Sequence, residues 1–201
     1  MVTKLQTDSA LDAIARDFEQ RPLSIADSVS LAAQVLAEAV DCERVSVWQF
    51  EVISEPPGLR CLWAKRTSQA IEEASLRLAA EQYRGYFSEL SRTGFFASDD
   101  VEIDAHLTAM RAPYLKVYGI RATLDVPIAI NGRAYWLVCC EQLHGGRMWR
   151  DHQILVARQI SARVGLLISG MRSVSLADLP SIPISPVPGG SASEPGRRNP
   201  R

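Results

Sequence analysis

Among the residues of this 201-residue chain that could do chemistry, the clearest local group falls in one hairpin, ATLDVPIAI-NG-RAYWLVCCEQL. Asn131 and Gly132 tolerate the positive φ of a type I′ turn, which pairs Ile130 with Arg133 and sets the register. Counting outward by twos places Leu124, Val126, Ile128, Tyr135, Leu137 and Cys139 on one face, and Thr123, Asp125, Pro127, Trp136, Val138 and Cys140 on the other. The first face reads as core. The second sets a carboxylate, a hydroxyl and an indole into an apolar wall, which is how a pocket is lined. A half-buried carboxylate without a partner costs several kcal/mol or takes up a proton. Asp125 therefore calls for a cationic ligand, an internal arginine such as Arg121, or backbone amides. A bulge would invert part of this face assignment.

Elsewhere the reactive residue types lack the spacing that chemistry needs. Cys42, Cys61, Cys139 and Cys140 match neither a zinc-ribbon pair nor a CxxC redox motif. The adjacent Cys139 and Cys140 point to opposite faces of a strand and read as small buried hydrophobes. No Ser-His-Asp elbow, Gly-rich phosphate loop or HExxH is present. His144 and His152 flank the RMW segment and read as surface residues.

The elements that must position these groups follow from periodicity. Helices are expected over Asp8 to about Gln20, with apolar Leu11, Ile14, Ala15 and Phe18, and from Ser24 to about Cys42. Ser24 and Asp27 resemble a capping box with the shorter acid. Arg44 to Val52 and Leu59 to Lys65 read as paired strands around the SEPPG turn. A helix is expected over Ile71 to Arg92, interrupted near Gly85, then a short strand at Phe95 to Ser98. A helix from about Ile103 to Tyr118 is bent by Pro113 and ended by Gly119. Trp149 to Met171 forms the last helix, its apolar stripe wide enough to touch two neighbours.

Composition bounds the partners. Twenty-two basic against 23 acidic side chains give a net charge of −1, so no field recruits a nucleic acid or an anionic membrane. The longest apolar run, Ala134 to Cys140, is far short of the ~20 residues that span a bilayer. The first twenty residues lack the apolar core of a secretory signal, so a cytoplasmic protein is expected. Residues 173–201 hold six prolines, six serines and three glycines, the composition of a disordered tail. A single domain over 1–172 is left.

Helix, helix, strand, strand, helices, strand, helix, hairpin, helix is the order of an α+β fold around one antiparallel sheet. Two helices leading into CERVSVWQFE, then YFSELSRTGFFASDDVEIDAHL, then GIRATLDVPIAINGRAYWLVCCEQ followed by RMWRDHQILVARQIS, resemble the GAF domains of bacterial sensor proteins over nearly all of residues 8–171. The resemblance implies a PAS-related sheet of five to six strands, with the N- and C-terminal helices on one face and roof helices over a ligand pocket on the other. It places that pocket at Thr123, Asp125, Trp136 and Cys140, roofed by Tyr86, Phe87, Asp99, Asp100, Tyr114 and Tyr118, with Trp48 joining from the first strand.

What the resemblance implies for function is a non-catalytic sensory or regulatory domain that binds an unidentified small molecule and signals through its end helices to a separate effector protein. No cofactor is specified. Bilin attachment in its usual mode needs a cysteine in the roof, and residues 71–118 contain none. The cyclic-nucleotide signature is absent, and haem would depend on His106, the one plausible axial ligand. The alternatives are a redox enzyme like the free methionine sulfoxide reductases, which needs a reactive thiol pair beside the cavity, and a ligand-free dimerisation module. Residues 1–43 carry a net −5 and residues 147–172 a net +4. On this fold the two segments meet behind the sheet, where opposite charges favour docking of the helices within a chain or between two chains, and the wide apolar stripe of the last helix points to a homodimer.

Overall fold

In the computed structural model the described residues are 12, 15–16, 24–52, 55–66, 71–72, 76–171, 176–177 and 179–185. The helix expected over Asp8–Gln20 therefore lies almost wholly outside them. Helix α1 (Ile25–Val40) starts where its sequence says it should. The Ser24 hydroxyl accepts from the Asp27 amide at 3.1 Å and the Asp27 carboxylate accepts from the Ser24 amide at 3.3 Å, satisfying two donors that the first turn leaves free. Its buried stripe is Val29, Ala32, Ala33, Leu36 and Val40.

Strands β1 (Arg44–Glu51), β2 (Gly58–Arg66), β3 (Ile71–Glu72), β4 (Arg77–Leu78), β5 (Phe96–Ser98), β6 (Ile120–Ile130), β7 (Arg133–Leu143) and β8 (Ile182–Pro183) form one antiparallel sheet in the order β3-β2-β1-β7-β6-β5. The short β4 adds to β2, and β8 adds to β7. Helix α1 and the last helix, α3 (Asp151–Ser169), cover one side. The other side is covered by α2 (Arg84–Thr93) and by a segmented helix. That segmented helix runs as a 3₁₀ turn (Ala105–Leu107), an α turn (Thr108–Met110), a π turn (Arg111–Leu115) and a final α turn (Lys116–Tyr118). Pro113 sits inside the π turn, where its missing N–H is accommodated by the altered hydrogen bonding, and Gly119 ends the run at φ 71°.

Three expectations are corrected. The helix expected from Ile71 begins only at Arg84, and β3 and β4 precede it, because unpaired positions on β2 recruit them as strands. The segment expected to be disordered contributes Ile182 and Pro183 to the sheet, with Ile182 buried and Arg133 donating to the Ser181 hydroxyl at 2.8 Å. The third correction concerns the β6–β7 hairpin. Its turn pairs Ile130 with Arg133 as expected, but the register shifts between Ile128 and Ala129, so that Ala129 faces Ala134 while Ile128 faces Trp136. Tyr135 is the extra residue, and every side chain of β7 beyond it changes face.

Candidate functional site

That single bulge decides which groups meet. With it, Leu137, Cys139 and Glu141 point with Thr123 and Asp125 toward the segmented helix, while Trp136 and Cys140 turn to the opposite core with Val138. Trp136 and Cys140 are therefore removed from the expected pocket. The carboxylate and the hydroxyl of the expected pocket wall remain.

Between sheet and roof lies a small cavity lined by Trp48, Tyr86, Tyr114, Thr123, Asp125 and, unforeseen from the sequence, Cys139 and Glu141. Its volume is about 20 Å³, room for about one water molecule. Phe87 packs beside the cavity against Phe50 and Tyr86, at ring separations of 6.4 and 5.4 Å. Tyr118 meets Tyr114 at 5.3 Å with the rings tilted by 59°. Trp48 meets Tyr114 edge-on at 5.4 Å.

Asp125 is 4 % exposed. Its partners are neutral: Tyr86 donates to Oδ2 at 2.7 Å and Thr123 donates to Oδ1. Burial raises its pKa from the ordinary 3.8 to about 7, and the hydrogen bonds from Thr123 and Tyr86 only partly oppose that rise. Arg121, the expected internal partner, instead pairs with Asp100 at 3.2 Å.

A second polar cluster lies alongside. Arg44 at the start of β1 pairs with Glu141 of β7, each 1 % exposed, and the two are directly opposite in the strand register. Tyr114 donates to Glu141 at 2.7 Å and accepts from Arg44 at 3.2 Å. Ser46 donates to the same carboxylate at 3.2 Å and accepts from the Trp48 indole at 2.9 Å. The Arg44 guanidinium lies 4.8 Å from the Tyr118 ring centre. Burial would lower the Arg44 pKa, but the charge of Glu141 and the contact with Tyr114 outweigh it and raise the pKa. Arg44 Nε is buried with no hydrogen-bond partner. No composition or spacing signal singled out Arg44 or Glu141; only the β1–β7 pairing across nearly a hundred residues joins them.

Asp99 and Asp100 lie outside the cavity. Asp99 accepts from the Trp149 amide at 2.9 Å, and Asp100 accepts from Glu102 at 3.0 Å as well as from Arg121. The backbone bond from Glu102 and the Arg121 contact hold Asp100 below the usual carboxylate range. Both residues brace the loop before the roof. His106 is exposed, edge-on to Phe96 at 6.3 Å, and does not line the cavity. All four cysteines are free and buried. Burial pushes the Cys61 thiol up to about 12 and raises Cys139 well above its ordinary value, and Cys140 is raised by its contact with Cys42 and by burial. Among the described residues no cluster of three His, Cys, Asp or Glu could hold a metal ion, and no helix is long and apolar enough to cross a membrane.

Comparison with known structures finds the same architecture. The phycoerythrobilin-bound GAF domain of a cyanobacterial phytochrome superposes with a TM-score of 0.66 at 12 % identity, over 83 % of this chain and 96 % of that one. The chromophore-binding domain of the bacteriophytochrome RpBphP3 from R. palustris gives 0.61 at 12 % identity over 83 % of this chain. This chain spans 62 % of that longer one. The blue-light absorbing PixJ GAF domain of Thermosynechococcus elongatus gives 0.56 at 20 % identity, over 71 % and 85 % of the two chains. Among curated proteins none matches the sequence. The profile of the GAF domain matches residues 24–168, and the chain thus belongs to the GAF domain family.

Proposed function

We propose that this protein is a non-catalytic sensory or regulatory GAF domain that binds a small polar molecule between its sheet and roof. The observation that carries this reading is the concentration of buried ionisable groups beneath an irregular helix. Arg44, Glu141 and Asp125 all lie under the segmented roof, with Arg44 Nε left without an acceptor. Core packing gains little from such groups, whereas binding sites use them. The closed cavity is far below the ~300 Å³ of an ordinary ligand pocket. Binding therefore entails outward movement of the segmented helix, whose π and 3₁₀ turns already depart from regular hydrogen bonding. A ligand preferring the open arrangement would shift the population toward it, and the end helices would carry the change to a separate effector. The similar GAF domain of a cyanobacterial phytochrome is bound to phycoerythrobilin; here the roof residues 71–118 contain no cysteine for the usual attachment.

A redox enzyme of the methionine sulfoxide reductase type is disfavoured by the buried thiols, because Cys61, Cys139 and Cys140 are held away from the thiolate form. Four free cysteines fit a reducing, cytoplasmic setting. The second reading is a ligand-free homodimeric interaction module, favoured by the nearly filled cavity and by Leu155 and Leu166, exposed by 55 % and 67 % on the last helix.

Native mass spectrometry and an absorption spectrum of freshly purified protein, followed by a thermal-shift screen of polar metabolites, separate the two. A bound mass, or a stabilising metabolite whose effect is lost in Asp125→Asn or Tyr114→Phe, is the expected result. An empty protein that no metabolite stabilises would establish the interaction module instead.

A further inference from the structure

Beyond the last helix the chain returns to the sheet at the end of the β6–β7 hairpin. Ile182 and Pro183 pair with Ala134 and Arg133. Arg133 Nε and Nη2 donate to the Ser181 hydroxyl and carbonyl at 2.8 and 2.9 Å, and the Ile184 amide donates to the Gly132 carbonyl at 3.0 Å. The Ser185 amide then donates at 2.8 Å to the carbonyl of Ser91, a residue of α2 on the roof side. Leu176 and Leu179 pack against the core under α1 and α3, whereas Ile182 is buried in the core under the roof and Ile184 packs against it. The strap 179–185 thus passes from one face of the sheet to the other and ends on the roof.

Helix α2 joins this strap to the sheet–roof cavity. In its first turn Tyr86 donates to Asp125 at 2.7 Å, and in its last turn the Ser91 carbonyl holds Ser185. The segmented helix rests on the same element. Gly85 packs so closely on His106 of the 3₁₀ turn that an added Cβ would lie 3.3 Å from its Nδ1. The strap itself is held weakly for its length. Its strand has two residues, Ser181 and Ile182 are buried, and Pro183 and Ser185 are exposed. Ordering each of its residues costs conformational entropy, and pairing this short is marginal without a large buried face. Segments with so few buried groups open locally while the core stays folded.

We propose that residues 179–185 are a releasable latch on the roof: α2 holds the strap while the roof is closed, and a ligand that displaces the segmented helix carries α2 with it and frees the strap. The latch is a regulation of the sheet–roof site and rests on the sensory reading of that site, although its mechanics are measurable without a ligand. By linkage, releasing the strap must in turn ease opening of the roof.

Hydrogen–deuterium exchange of the full chain, read by mass spectrometry on the strap, α2 and β1, tests the latch. In the wild type the strap is expected to exchange at least about a hundredfold faster than β1, by local release. Ile182→Ser removes the buried anchor and speeds strap exchange at least about tenfold further. Through the reciprocal coupling it also speeds exchange in α2 and leaves β1 unchanged. Tyr86→Phe loosens α2 from Asp125 without touching the strap, and speeds strap exchange about fivefold, the equivalent of one lost hydrogen bond. Ser30→Ala deletes the bond from the Trp63 indole on the opposite face and leaves the strap unchanged. If Tyr86→Phe fails to fold, as judged by circular dichroism, the response of α2 to Ile182→Ser decides. A strap as slow to exchange as β1, no response of the strap to Tyr86→Phe or of α2 to Ile182→Ser, or an equal response of the strap to Ser30→Ala would overturn the proposal. Coupling in these variants of a protein that no metabolite stabilises would uphold the mechanical latch and refute the sensory reading, so the two fail separately.

Discussion

Arg44 and Glu141 share a site so enclosed that each depends on the other. Replacing Arg44 alone by Met strands a buried carboxylate, and a loss of about 3–5 kcal/mol is expected in urea denaturation. The double variant Arg44→Met/Glu141→Leu substitutes an apolar pair of similar bulk and should recover most of that loss. A double variant as unstable as the single one would show that the surrounding Tyr114 and Ser46 hydroxyls, not the unpaired charge, set the cost. Asp125 makes a different prediction, because its folded pKa of about 7 lies above the unfolded value of 3.8. The folded state then holds a proton that the unfolded state releases, so stability falls as pH rises from about 4 to about 7 and levels off above it. In Asp125→Asn this contribution is absent. The stability difference between wild type and variant should move by about 4 kcal/mol over that window, against the wild type as pH rises. Denaturation curves at a series of pH values measure it, and a flat difference would refute a proton on Asp125.

Among the elements, the last helix has the tightest constraint. A Cβ at Gly165 would overlap the Ala129 carbonyl oxygen on β6, and a backbone oxygen cannot swing aside as a side-chain end can. Helix propensity favours alanine over glycine by about 1 kcal/mol, yet Gly165→Ala is expected to lose about 1–3 kcal/mol through displacement of the helix. A thermal melt decides the sign: a raised Tm would mean that the helix has slack against the sheet. The segmented roof differs in kind. Its irregular turns and Pro113 leave it with the least regular hydrogen bonding of the covering elements, which is why movement on ligand entry is assigned there rather than to the last helix.

At the scale of the molecule, the two faces of the sheet differ. The sheet–roof side holds Asp125 and the Arg44–Glu141 pair, and the helical side holds the exposed Leu155 and Leu166. In the homodimer proposed above, those leucines would be covered by a second copy, aided by the −5 and +4 charges of the two end segments. Leu155→Glu/Leu166→Glu is expected to convert a dimer into a monomer in light scattering after size-exclusion chromatography, with the far-ultraviolet circular dichroism unchanged. A wild type that is already monomeric would refute the dimer.

Much of this architecture was legible in the sequence because local physics specifies it. The Ser24–Asp27 cap, the Asn131–Gly132 turn, the alternation of β6 and the bend at Pro113 each depend on neighbours within a few residues. The α+β order and the motifs carrying the GAF resemblance follow from such segments, and Trp48, Tyr86, Tyr114, Thr123 and Asp125 were found through them. What local pattern could not supply was long-range register. The bulge at Tyr135 inverts β7, exchanging Trp136 and Cys140 for Cys139 and Glu141. The pairing of β1 with β7 brings Arg44 to Glu141, and edge pairing draws β3, β4 and β8 out of segments that read as helix or tail. By itself the sequence determined the main helices and strands, their order and the acid beneath the roof. Only the tertiary structure decided which partners those elements bring, because a one-residue shift in a strand changes every side chain's face while leaving its local pattern intact.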